Sequence, residues 1–198
     1  MYPRHRLDAL ADGIYGVAMT LLVLEIRIPD GVDYRSDREL IALFASLGPK
    51  FWPYALSFAV LAGRWRAMVF GRTHHEPVGR RYVTWSLIHL FLVTLMPFST
   101  LVIGRYASLA PGLWLYTGNL VGLSVTAWMI RRSAPASERL DIGDNTVGLA
   151  LLLISAALVV ALSFQHSAYA TLGFLLTALT PLAERLLRRA KPEPATHA

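Results

Sequence analysis

The sequence predicts an all-α, polytopic membrane protein with six transmembrane helices. Three observations carry that prediction. Apolar residues fill 55% of 198 positions and mean hydropathy is +0.45, more apolar than a soluble domain of this length. Charged residues make up 16% and gather between long apolar runs instead of spreading through them. Those runs are close to the roughly 20 residues that cross the hydrocarbon of a bilayer.

The first span runs from Leu7 to Ile28, where Pro29-Asp30-Gly31 stops it. Glu39–Leu47 is too short to span and reads as an amphipathic lead-in ended by Gly48-Pro49. The second span is Phe51–Phe70, with Pro53 in its first turn, where a missing N–H is harmless. The third is Tyr82–Ile103. Pro97 predicts a kink there, with the Ser99 or Thr100 hydroxyl on the freed carbonyls. In the fourth, Leu109–Ile130, Gly118, Gly122 and Ser124 predict close helix packing. The fifth is Thr146–Phe164 and the sixth Ala168–Leu187. Residues 1–187 therefore form one transmembrane domain, and 188–198 a basic, Pro-rich, disordered tail.

Charge sets the expected orientation. Arg4 and Arg6, then Arg72, Arg80 and Arg81, then Arg131, Arg132 and Arg139, then Arg188, Arg189 and Lys191 fall on one side. The other side has mixed charge after the first span and only Arg105 after the third. Both termini are thus expected in the cytoplasm, with the chain in the cell (inner) membrane. The net charge of +6 belongs to this asymmetry and to anionic headgroups, so nucleic acid is not an expected partner. Trp52, Tyr54, Tyr82, Trp85, Trp114, Tyr116 and Trp128 read as an aromatic belt at the interfaces.

No cysteine is present, which excludes disulfides, thiolate catalysis and Cys-based metal sites. The first apolar run begins with Asp8 and Asp12 and lacks a small-x-small cleavage site, so it reads as a retained helix. No nucleophile elbow, phosphate loop or His-Glu-x-x-His motif occurs. His74-His75-Glu76 reads as a solvated loop, and His89 as a packed, hydrogen-bonded core residue. The expectation is a protein that is not an enzyme, with no cofactor and no metal.

The first helix has two faces. At about 100° per residue, Leu10, Gly13, Val17, Leu21, Leu24 and Ile28 form one stripe, with Thr20 at its margin. Asp8, Asp12, Tyr15, Met19 and Leu22 lie opposite. A charge inside a span rarely faces lipid, so Asp12 is expected to point at protein. The aliphatic stripe must then face lipid, a partner subunit or a pore. Glu25 with Arg27 is either a cation-attracting ring or a local pair.

Arg6-x-x-x-Leu10-Ala11-Asp12-Gly13, then Thr20-Leu21-Leu22-Val23-Leu24-Glu25-Ile26 and Pro29, resembles the bacterial branch of the endolysosomal potassium channel family (transmembrane protein 175). Trp65 in the second span and Leu95-Met96-Pro97-Phe98-Ser99-Thr100 in the third add to the likeness. The resemblance implies a potassium-permeable cation channel, a homotetramer in which the first helix of each subunit lines a central pore. It implies aliphatic constriction rings at Val17, Leu21 and Leu24, a part in selectivity for Thr20, and a structural motif of Arg6, Asp12, Gly13 and Trp65. It also implies potassium ions and the lipid bilayer as partners.

This chain departs from the family pattern in three places. Phe and Ser of the signature are Leu10 and Ala11, Val17 is smaller than the usual ring residue, and no His follows Trp65 until His74. The partner of Asp12 is therefore open among Arg64, Arg66 and His89. No Thr-Val-Gly-Tyr-Gly-like re-entrant filter loop occurs, which leaves selection to side chains. Two other functions fit the sequence: a secondary transporter using Asp12 as its proton or ion site, and a membrane scaffold without transport.

Overall fold

The computed structural model describes residues 2–28, 35–70, 77–106 and 109–135. The expected fifth and sixth spans, the tail 188–198, the Pro29-Asp30-Gly31 stop and His74-His75-Glu76 lie outside the described residues. Five α-helices occupy the described part: α1 Arg4–Leu21, α2 Asp37–Phe70, α3 Arg80–Thr94, α4 Met96–Tyr106 and α5 Ala110–Ser133. Among the described residues, three stretches have the length and hydropathy to cross a membrane: Arg4–Leu24, Arg80–Tyr106 and Ala110–Ser133.

Helix α1 buries Arg4, Ala11, Tyr15, Ala18 and Leu22 on one side. Two alanines on that face let the helix approach its neighbours closely. The helix ends earlier than its hydropathy suggests. From Leu22 to Glu25 it tightens into a 3-10 turn, closed by Ile26 N–H on the Val23 carbonyl at 3.1 Å. A 3-10 turn advances about 120° per residue, so Leu24 stands nearly over Leu21, and both Leu24 and Ile28 are exposed.

Helix α2 corrects the sequence expectation. It is one helix of 34 residues and runs through Gly48-Pro49 and Pro53 without a break. Proline's fixed φ is a helical value, so each ring costs one N–H bond without forcing the chain out of register. At about 1.5 Å per residue the helix is ~51 Å long, well beyond a ~30 Å hydrocarbon layer. It is not among the described stretches apolar enough to cross by composition, and its second half carries Arg64 and Arg66. The packing of Arg64, described below, explains how the helix keeps that charge.

The third expected span is split between α3 and α4 at Leu95, two residues before Pro97. Proline disfavours helical geometry in the residue before it and offers no N–H to the turn above. The Ser99 and Thr100 hydroxyls both lie on the Met96 carbonyl, at 3.0 and 2.8 Å. They brace the first turn of α4 and do not reach the carbonyl that proline frees. Helix α5 is the hub. It packs against α3 and α4, while α1 lies on α3 and α2. Its core residues Leu113, Tyr116, Leu120 and Leu123 recur at a heptad-like spacing and meet Leu61, Leu90, Val93, Met96 and Ile103.

Two aromatic expectations change. Tyr116 and Tyr82 are buried, Tyr116 almost completely, whereas Trp52 and Trp114 are exposed as an interface belt requires. Glycine roles on α5 also separate. A Cβ on Gly122 would stand 3.0 Å from Leu92 Cδ1, so that position does serve a close approach. Around Gly118 nothing lies within 4 Å.

Candidate functional site

The candidate site is α1, and its two faces differ sharply. Val17 is 58% exposed, Leu21 42% and Leu24 57%. Leu10, Ile28 and Gly13 share that exposure, and the space beside Gly13 is open to 4 Å. Thr20 is exposed and donates its hydroxyl proton to the Val17 carbonyl at 2.8 Å. With the proton used inside the helix, the oxygen presents lone pairs outward.

The buried face is tied down by a chain of side-chain hydrogen bonds. Tyr15 OH and His89 Nε2 are 2.8 Å apart, and His89 Nδ1 and Thr126 Oγ1 are also 2.8 Å apart. The Thr126 hydroxyl donates to the Gly122 carbonyl at 2.7 Å, so it must accept from His89 Nδ1–H. His89 Nε2 is then the acceptor for the Tyr15 proton. A neutral histidine thus links α1, α3 and α5. Next to this relay, Arg64 on α2 donates to the Leu123 carbonyl at 3.1 Å and to Ser124 Oγ. The bundle interior supplies acceptors for that guanidinium, which is what allows α2 to carry it.

Asp12 has a different partner from those the sequence left open. Trp65 Nε1 donates to Asp12 Oδ1 at 2.9 Å. Arg64 and His89 are engaged elsewhere. Asp12 is exposed on the single chain, not enclosed by its own helices. Thus Asp12 and Trp65 of the structural motif come together, while Arg6 and Gly13 are exposed beside them along α1. Arg27 donates to the Leu24 carbonyl at 3.3 Å, and the side chain of Glu25 lies outside the described residues.

A second polar cluster escaped the sequence reading. Ser57 on α2 meets Tyr116 of α5 at 3.0 Å and accepts from Thr100 of α4 at 2.8 Å. Asn119 donates to Ser99 at 3.1 Å. All five are buried. The signal was available in Asn119, an amide in the middle of an apolar helix, since polar groups inside spans face partners. No spacing in the sequence indicates which helix supplies those partners. Among the described residues, no group of three His, Asp or Glu is placed to hold a metal ion.

Residues 6–97 match the family described as endosomal/lysosomal potassium channel TMEM175. A potassium channel of Chamaesiphon minutus is 28% identical over 145 residues, covering 68% of each chain. A solved structure of a lysosomal potassium-selective channel TMEM175 homolog from Chamaesiphon minutus superposes with a TM-score of 0.70 at 23% identity, over 91% of this chain and 97% of that one.

Over residues 6–97 the chain is similar to the TMEM175 family.

The human endosomal/lysosomal proton channel TMEM175 is 36% identical over 69 residues, which cover 32% of this chain and 14% of the human protein. The matched stretch 6–97 contains α1, with the whole Val17–Leu24 face, and the Asp12–Trp65 contact. His89 on α3 is buried and reaches α1 through Tyr15 rather than through Asp12.

Proposed function

We propose that this protein is a potassium-permeable cation channel of the cell membrane, a homotetramer in which α1 of each subunit lines a hydrophobically constricted pore. The carrying observation is the exposure of Val17, Leu21 and Leu24 on a segment whose other side packs Ala11, Tyr15, Ala18 and Leu22 into the core. Around a fourfold axis these side chains would form three rings. Seven residues separate the first from the last, roughly 10 Å of apolar wall. A narrow apolar passage of that length excludes water unless it widens, which is a means of gating. Thr20, with its lone pairs outward, would offer cations one polar ring within this wall. Open space at Gly13 suits the approach of a neighbouring subunit. The arginines at the start of α1 and α3 and the end of α5 support a cytoplasmic position for that end by the positive-inside rule.

Flux from liposomes holding the purified full chain tests the reading. Potassium is expected to leave faster than sodium and far faster than an impermeant organic cation, without any second ion gradient. Val17→Ala is expected to raise potassium flux severalfold. Met19→Ala, whose side chain packs against the core, is not. Equal leakage of all three cations, or equal effects of the two variants, would reject the pore assignment. Retained passive flux in Asp12→Asn separates a channel from a transporter that cycles a proton on Asp12.

A further inference from the structure

We propose that one end of the bundle binds the headgroup of an anionic phospholipid, held chiefly by Arg80 and Arg81 of α3 and Arg132 of α5. This goes beyond the channel reading and does not depend on it.

Three chain segments converge there. Tyr2 and Val78 pair as an antiparallel bridge, with N–H to carbonyl distances of 3.0 and 3.2 Å in the two directions. That bridge fixes the start of α1 beside the start of α3. Val78, Tyr82 and Ala134 form a small buried cluster with Leu7, Val83 and Ile130 against it. Arg80 and Arg81 lie between Val78 and Tyr82 in the chain, and Arg132 lies between Ile130 and Ala134, so packing of the apolar residues brings the segments that carry the basic ones to the same end of the bundle. All three arginines are exposed.

Among the described residues the local charge is strongly one-sided. The acid at this end of α1, Asp8, is 3.9 Å from Arg4 Nε, and Arg4 is buried with its guanidinium over the Tyr82 ring at 5.5 Å. Asp8 therefore lies beside the interior Arg4. Gly79 caps α3 without a side-chain hydrogen bond, and the first turn of α3 holds no acid. The start of that helix thus adds its own partial positive charge to Arg80 and Arg81. Arg132 is held over the Trp128 ring at 4.1 Å, so it is ordered before any ligand arrives. At the opposite end, the described arginines Arg27, Arg35, Arg38 and Arg105 are accompanied in the chain by Glu25, Asp37 and Glu39, and Arg35 N–H bonds Glu39. That end has no comparable excess.

A membrane lipid is the occupant this geometry favours. Arg132 extends from the end of one membrane-spanning helix, and Arg80 and Arg81 from the start of another. Headgroup phosphates lie at that depth. Their positive charge attracts an anionic headgroup there.

Native mass spectrometry of the full chain in detergent with equimolar phosphatidylglycerol and phosphatidylcholine tests this. Phosphatidylglycerol is expected to be retained preferentially. Each arginine near a membrane surface contributes about fivefold in affinity, so Arg80→Gln with Arg81→Gln should weaken retention about 25-fold. Arg105→Gln, at the far end of α4, should leave it unchanged. Replacing both arginines by lysine should restore most of it. Equal retention of the two lipids, a loss of the same size in Arg105→Gln, or failure of the lysine pair would overturn the proposal. Displacement of phosphatidylglycerol by millimolar inorganic phosphate would assign the site to a soluble anion and overturn it too.

Discussion

Tyr15→Phe, His89→Leu and their combination test how the proposed pore helix is held. Tyr15 is 1% exposed and His89 5%, and their 2.8 Å contact joins α1 to α3. Tyr15→Phe keeps the ring but removes the proton that His89 Nε2 accepts. A buried acceptor that loses its donor costs about 1–3 kcal/mol. His89→Leu removes the acceptor from Tyr15 and the Nδ1–H donor from Thr126, so it should cost the same or slightly more. The Thr126 hydroxyl still donates to Gly122. In the double variant neither side of the Tyr15–His89 pair is stranded. It should therefore cost less than the sum of the singles, by the coupling between the two groups. Interhelical hydrogen bonds in membrane proteins couple by about 0.6 kcal/mol on average and up to ~1.7. Tryptophan fluorescence during denaturant unfolding in mixed micelles measures all four proteins in one cycle. Zero coupling within error, or a neutral Tyr15→Phe, would refute the relay and leave apolar packing as what orients α1.

Further outcomes follow from single positions. A Cβ on Gly112 would sit 3.0 Å from the Tyr106 carbonyl oxygen, a backbone atom. Gly112→Ala should therefore destabilise by ~1–2 kcal/mol, while Gly118→Ala, in open space, should be neutral or stabilise by up to ~1 kcal/mol. The same unfolding measurement reads both. Trp65→Phe removes the donor to Asp12 but keeps most of the ring. The pair is exposed, so its loss should cost ~1 kcal/mol or less, below His89→Leu. A larger loss would place Trp65 at a buried contact.

The division between what sequence shows and what it hides falls along particular residues. Val17 and Leu21 were legible as a stripe because helical periodicity is local, and the structure leaves both exposed. The kink before Pro97 was legible because proline acts on its own turn. Pro49 misled for the same reason: a local rule ended a helix that the chain continues. Asp12 was recognisable as important, yet its donor is Trp65, 53 residues away. Choosing among Trp65, Arg64, Arg66 and His89 required knowing how α2 is rotated against α1.

The sequence by itself determined the class: apolar runs of membrane length, basic ends, and a first helix with one aliphatic face. Those properties depend on residue chemistry and on spacing within one helix. Tertiary structure alone decided the partners. It put Tyr15, His89 and Thr126 in line, gave Arg64 to the Leu123 carbonyl, buried Tyr116, and gathered Arg80, Arg81 and Arg132 at one end. Each of these depends on the relative rotation and depth of two or more helices. That is set by the summed packing of the whole bundle, which no single stretch of sequence encodes.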